Sequence, residues 1–270
     1  MQLIETVLNV ERKVPLSPGL INTCFEVITS VVEAAKEERD DYLNVLAEKY
    51  PNAFADRVGT LKNFKFKMEF VQDPKNLVIK NNRFTYSKEK LDAVHRIINN
   101  WKKDGIIEPS RACHYNNIVI VKRGYSIDGV PQLRVCADFQ LLNKFLKDPT
   151  NQAPQIESLR EYFAGTNYFT RLDFHDAFMQ IKLAKESRPF TTFGYKGQNY
   201  QFTRVAFGMS SSMQAFISAV SKLFEHLPFV VMYVDDIIIC SKNIVEHRQH
   251  VEEVVKIIDE SGMTLKKVKC

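Results

Sequence analysis

The chain has 270 residues, 45% of them hydrophobic and 26% charged, enough to bury one large core or two smaller ones. No run approaches the roughly 18 uninterrupted apolar residues of a membrane span, and the N-terminal stretch lacks a basic-then-apolar signal pattern. Cys24, Cys113, Cys136, Cys240 and Cys270 are scattered without a CxxC, which argues against a disulfide framework or zinc ribbon. The net charge of +5 suits a polyanionic partner without demanding one.

In chain order, residues 1 to about 20 read as a loop or connector, broken by Pro15, Pro18 and Gly19. Thr23 and Glu26 form a capping box that opens a helix; it runs from Phe25, turns charged at Lys36 to Asp41 and breaks at Pro51. From Lys62 the alternation of Phe64, Phe66, Met68 and Phe70 predicts a half-buried strand. Ser87 is placed to cap a helix with the stripe Leu91, Val94, Ile97, Ile98 and Trp101, and Gly105 to end it. Strands at Asn117–Lys122 and Gln132–Ala137, joined across Asp128-Gly129, read as a hairpin that brings Lys122 near Arg134. Residues 157–165 look helical, 167–174 and 178–183 strand-like, and 210–226 helical. Phe229 to Ser241 is apolar on both sides of a central Asp-Asp, and Glu246 to Gly262 is helical by the spacing of Val251, Val254, Val255, Ile257 and Ile258. The order is mixed α+β.

Nucleotidyl transfer needs divalent ions about 3.5–4 Å apart to activate an attacking oxygen and neutralise a leaving one. Hard magnesium prefers carboxylate oxygens. Asp173, after an apolar strand, and Asp235-Asp236, inside an apolar segment, are the candidate ligands. On local sequence alone, Asp235-Asp236 reads first as hairpin-tip chemistry. Lys122 and Arg134 read equally as a solvated hairpin face, and Phe178 and Phe207 as core packing. His247 and His250 stand three apart on the last helix, and an exposed polar face accounts for them better than a metal site with Cys240.

Tyr233-Val234-Asp235-Asp236, downstream of the Asp173 strand, resembles the paired acidic motifs of reverse transcriptases. The likeness extends in order through Ile107-Glu108-Pro109-Ser110, Val119 to Lys122, Arg134 to Phe139 with Leu142-Asn143, Phe190 to Gly194, Ala206-Phe207-Gly208-Met209, Glu246-His247 and Leu265 to Cys270. It spans roughly residues 50 to 270 and is most similar to gypsy-type LTR retrotransposons, whose Pol polyprotein carries such a domain. Departures are Ala206 where proline is usual, Ser211, Ser212 and Met213 for Asn-Ala-Pro, and Gln140 for arginine; none removes a metal ligand. Asp176-Ala177-Phe178 is closer to the retroviral version than to the Ser-Gly-Tyr of gypsy elements.

The resemblance implies an α+β right-hand polymerase fold with fingers and palm and no thumb before the chain stops at Cys270. Residues 1–60 would be an N-terminal extension with a helix, 61–147 and 182–211 fingers, and 148–181 and 212–270 palm. Asp173, Asp235 and Asp236 would be catalytic and hold two Mg2+ ions, or Mn2+ in their place, with the Phe174 carbonyl near one of them. Lys122 and Arg134 would grip the triphosphate. Phe178 would lie under the sugar and exclude a 2′-hydroxyl, and Phe207 and Gly208 would sit beside nucleotide and template. The implied activity is RNA-directed DNA polymerase, with primer–template and dNTPs as partners and protease, RNase H and integrase as companion Pol domains. Without a thumb, this stretch alone is expected to be weakly active. The implied setting is intracellular, in the cytoplasm or a virus-like particle; the rival is a domesticated module that binds RNA or protein without catalysis.

Overall fold

A computed structural model describes residues 39–72, 74, 88–112, 116–125, 131–147, 163–233 and 236–267. The chain divides into two units, Met1–Glu48 and Lys49–Cys270. Residues 39–49 form a helix, α1. The second unit follows the order β1 (Lys65–Phe66), α2 (Lys88–Lys103), β2 (Ile107–Pro109), β3 (Asn117–Tyr125), β4 (Pro131–Asp138), α3 (Gln140–Asn143), β5 (Tyr168–Asp173), β6 (Lys182–Leu183), β7 (Phe193–Tyr195), β8 (Gln198–Phe202), α4 (Ser212–Phe224), β9 (Val230–Tyr233), β10 (Asp236–Ser241) and α5 (Ile244–Ser261). Among the described residues no helix is long and apolar enough to cross a membrane.

The central element is the antiparallel sheet β5-β10-β9. Strand alternation gives its two faces different work. Leu172, Ile237 and Ile239 are buried on the face that meets α5, whose stripe Val251, Val254, Val255 and Ile258 is also buried. Asp173, Arg171 and Asp236 alternate onto the opposite face. Helix α5 starts at Asn243, whose side chain accepts from the Glu246 N–H at 3.0 Å, and ends at Gly262 with φ 81°. A Cβ at Gly262 would lie 2.7 Å from the Thr60 carbonyl, so close backbone approach as well as conformation requires glycine there.

Helix α2 ends as its sequence predicts: Gly105 takes φ 64°, with Ile106 N–H bonded to Trp101 O and Gly105 N–H to Lys102 O. This is the paired C-terminal arrangement that glycine permits. Strands β3 and β4 form the expected hairpin. Three short strands, β2-β8-β7, make a further sheet that the sequence did not announce; it is joined to the chain near β7 by Arg188, which contacts both carboxylate oxygens of Glu108 at 3.1 Å.

Two predicted strands are cut short. The alternating run from Lys62 is strand only at β1, because beyond Phe66 its backbone groups leave for separate partners: Met68 N–H donates to Ser187 Oγ and Val71 N–H to Phe145 O. The stretch 178–183 is strand only at β6, because the left-handed backbone of Asp176 (φ 47°, ψ 54°) launches a 3-10 turn over Ala177–Gln180 first. The capping box at Thr23 and Glu26 with the start of its helix, the Ser87 cap, the Asp128-Gly129 turn and 157–162 lie outside the described residues.

His247 is not on an exposed helix face as the sequence suggested; it is buried at 7% exposure, because α5 packs it against the sheet. Its Nδ1 lies 2.8 Å from Ser241 Oγ, its Nε2 2.8 Å from Thr170 Oγ1, and His250 Nδ1 lies 2.9 Å from the same Ser241 Oγ. One hydroxyl has one proton to give, so with both rings neutral one must donate and the other accept. Cys240 alternates onto the opposite face of β10. Burial and the neighbouring His250 hold the His247 pKa below its usual 6.5. The unfolded chain therefore binds this proton more readily, so the stabilisation is present above about pH 6.5 and is lost as pH falls below it. Unfolding in urea should show lower stability at about pH 5.5 than at about pH 7.5, and His247→Gln should flatten that dependence; an equal slope in both proteins would contradict it.

Candidate active site

The register of β5 against β10 sets Asp236 directly opposite Asp173. Directly opposed antiparallel residues have Cα atoms about 4.5–5.5 Å apart and side chains on the same face. Both carboxylates are half-buried. Tyr233 on β9 is the other partner of Asp236, so the link from β9 to β10 is Val234-Asp235, which lies outside the described residues. Two like charges in such a pair repel; Arg171 Nη1, 3.8 Å from Asp236 Oδ2, offsets part of this from solvent. Oxygen donors paired on a rigid strand end fit the needs of magnesium.

The outer edge of β5 is covered near the same point. Phe174 bridges Leu265, Lys266 N–H donates to Asp173 O at 2.8 Å, and His175 N–H donates to Thr264 O at 3.0 Å. Asp173 is thus held by backbone contacts on both sides.

A second group of predicted residues is joined through aromatic rings. The Arg134 guanidinium carbon sits 3.6 Å above the Phe207 ring, and Phe207 lies 5.2 Å from Phe178. Phe178 lies 5.9 Å from Phe216, and Phe216 lies 5.4 Å from Phe174. Contacts of this kind contribute about 0.5–1.5 kcal/mol each. Arg134 Nη2 also lies 3.7 Å from Asp176 Oδ1. Asp176 is one of three described non-glycine residues with positive φ, and such backbones cluster where geometry is over-determined by function. Lys122 pairs with Leu133 one register step from the Val121–Arg134 pair; its side chain lies outside the described residues.

Gly208 adopts φ 96°, and a Cβ there would lie 3.1 Å from the Ala137 carbonyl. Asn143 fixes that turn from both ends, donating to Gly208 O at 2.9 Å and accepting from Ser210 N–H at 2.9 Å. A cavity of about 470 Å³ opens beside these groups, lined by Trp101, Asp104, Arg134, His175, Asp176 and Phe207 among others.

The structure therefore brings Asp173 to Asp236, and Arg134, Phe207, Phe178 and Phe174 into one contact chain. Sequence reasoning quoted Asn143 within a motif without a role and missed Arg171 and Gln180. Arg171 was available from alternation, two residues before Asp173 on the same face. Gln180 left no local signal, because its partners lie at Thr264 and His175.

A family model described as reverse transcriptase (RNA-dependent DNA polymerase) matches residues 120–270. The retrovirus-related Pol polyprotein from transposon gypsy of Drosophila melanogaster is 31% identical over 182 residues, covering 66% of this chain and 18% of the relative. The transposon Tf2-3 polyprotein of Schizosaccharomyces pombe is 27% identical over 237 residues, covering 87% of this chain and 17% of the relative. The chain thus spans less than a fifth of either relative. Among solved structures, the foamy viral protease-reverse transcriptase in complex with RNA/DNA hybrid is similar at TM-score 0.72 and 21% identity, over 83% of this chain and 30% of that one. The prototype foamy virus protease-reverse transcriptase CSH mutant is similar at TM-score 0.70 and 24% identity, over 86% and 30%. The fold is that of a polymerase.

Gly208→Ala should lower unfolding stability by roughly 1–3 kcal/mol, since strain and contact act together. Gly197→Ala, with φ 75° and nothing within 4 Å of the added carbon, should cost less. Urea titration of both decides; equal losses would remove the steric argument at Gly208.

Proposed function

This chain belongs to the reverse transcriptase (RNA-dependent DNA polymerase) family, and from that premise we propose that it adds deoxynucleotides to a primer 3′-hydroxyl on an RNA or DNA template, releasing pyrophosphate. It would do so as the polymerase part of a retrotransposon Pol polyprotein, in the cytoplasm or a virus-like particle. The observation that carries the reading is the register pair of Asp173 with Asp236, two half-buried carboxylates on one sheet face with Asp235 adjacent in sequence. Residues 61–147 and 182–211 would be fingers, and 148–181 and 212–270 palm. The pairing of β1 with β6 and of β2 with β8 supports joining the two finger segments.

Asp173, Asp235 and Asp236 would hold two Mg2+ ions, the donor set being all hard oxygen. Bound there, the metal supplies activation of the attacking hydroxyl and neutralisation of charge on the leaving pyrophosphate. The protein's own residues do the rest. Its β5–β10 ladder keeps the carboxylates in place before substrate arrives, so little reorganisation remains for the reaction. Arg134, its guanidinium carbon 3.6 Å above the Phe207 ring, lines the cavity and would offer forked donors to phosphate oxygens there. Lys122, on the facing strand, would add a second cation. Phe178, supported by Phe207 and Phe216, would form the floor beneath the sugar, where an aromatic ring leaves no space for a 2′-hydroxyl. Gly208 would let the chain pass close to the template base pair.

Primer extension on poly(rA)/oligo(dT) with Mg2+ tests the reading. Short, distributive products are expected from this chain, and none from Asp236→Asn or Asp235→Asn. Extension that survives either substitution would defeat it. Phe178→Ala should raise ribonucleotide incorporation relative to deoxynucleotide by at least about tenfold, the scale on which a pocket tells one small group from another; an unchanged ratio would remove Phe178 from sugar selection.

A further inference from the structure

Gln180 is a fully buried polar side chain, at 0% exposure, that the chemistry above does not use. Its Nε2 donates to the carbonyls of His175 and Thr264, each at 2.8 Å, and its Oε1 accepts from Thr264 N–H at 2.8 Å. Both ends of the amide are therefore engaged, and every partner is backbone. Thr264 is pinned in turn: its Oγ1 accepts from Gly59 N–H at 3.0 Å and donates to Arg57 O at 2.8 Å. A Cβ on Gly59 would stand 2.6 Å from Gln180 Oε1, so only glycine lets the strap of residues 57–60 lie this close to the amide.

The partners of Gln180 are the two strands of chain that meet behind Asp173. Residues 264–266 run along the edge of β5 away from β10, where Thr264 O accepts from His175 N–H, Leu265 bridges Phe174 and Asp173 O accepts from Lys266 N–H. Strand β10 holds the other edge through Asp236. A strand end paired on one side only frays at low free-energy cost, and a metal ligand has to stand within about 0.2 Å of its coordination distance. Beyond His175 the chain also reverses through the left-handed Asp176, so the ladder cannot simply be extended to brace it. Among the described residues, the side chain that ties His175 to Thr264 at this break is Gln180.

We propose that Gln180 is a positioning residue for the Asp173 carboxylate, acting as a rivet that closes residues 264–266 against β5 and so sets the geometry in which Asp173 meets a divalent ion. The proposal rests on the reading of Asp173 as a metal ligand. It assigns Thr264 and Gly59 to the same joint, Thr264 as its hydroxyl anchor and Gly59 as the small residue that lets the strap close over it.

The test is Mn2+ binding by the 270-residue chain, followed by electron paramagnetic resonance of free Mn2+ at a temperature where circular dichroism shows each variant folded. Gln180→Met keeps the length of the side chain and removes its hydrogen bonds; it should weaken Mn2+ binding by about tenfold, the lower end of what outer-shell partners contribute. Thr264→Val should weaken binding in the same direction, by a smaller factor, and Thr264→Ser, which keeps the hydroxyl, should restore the parent affinity. If Gln180→Met does not fold, the Thr264 pair decides alone. A lower Tm with unchanged Mn2+ affinity in Gln180→Met, or in Thr264→Val, would make the joint merely structural and overturn the proposal. Asp173→Asn separates the two levels of the argument: if it binds Mn2+ as well as the parent does, the metal-site reading itself fails, whatever Gln180 does.

Discussion

The constraint on which the rest depends is electrostatic: two carboxylates, Asp173 and Asp236, face each other across an antiparallel ladder. Like charges in that position destabilise a sheet. The arrangement persists because apolar burial elsewhere in the same strands overrides it. Leu172, Ile237 and Ile239 are at 1%, 0% and 0% exposure on the opposite face, and burying a side chain of this size contributes about 1.5–3 kcal/mol. A slip of one residue would put these three toward solvent and the acids toward α5. The apolar pattern therefore specifies the register, and the register brings the charges together.

Much of this was legible in the residues. The helices α4 and α5, the hairpin β3–β4 and the glycine stop at Gly105 all follow from periodicity and local turn chemistry, which depend on near neighbours. The meeting of Asp173 with Asp236 was readable only through ordered motifs, since no local rule pairs segments so far apart. What stayed hidden has a common cause. The strand from Lys62 is shortened because its backbone donors find partners at Phe145 and Ser187. His247 is buried because α5 turns it toward Thr170 and Ser241. Gln180 works through Thr264. In each case a long-range hydrogen bond overrides a locally reasonable pattern.

The two groups of site residues are supported in different ways. The carboxylates stand on backbone ladders, which are stiff. Arg134 sits over the Phe207 ring, and Phe207, Phe178 and Phe216 of α4 meet through tilted and edge-on ring contacts. Side chains in such contacts can slide where paired backbones cannot, so on the proposed reading the rigid part of the site would hold the metal ligands and the adaptable part would meet the sugar and base.

Trp101 is the only tryptophan in the chain. It is 9% exposed, packs edge-on to Phe202 at 5.3 Å, and lines the same cavity as Arg134 and Phe207. The molecule consequently carries one tryptophan fluorophore at the wall of that cavity, which red-edge excitation separates from its ten tyrosines. Its emission reports on one place rather than an average over many, so changes in local polarity there can be followed optically, without a label.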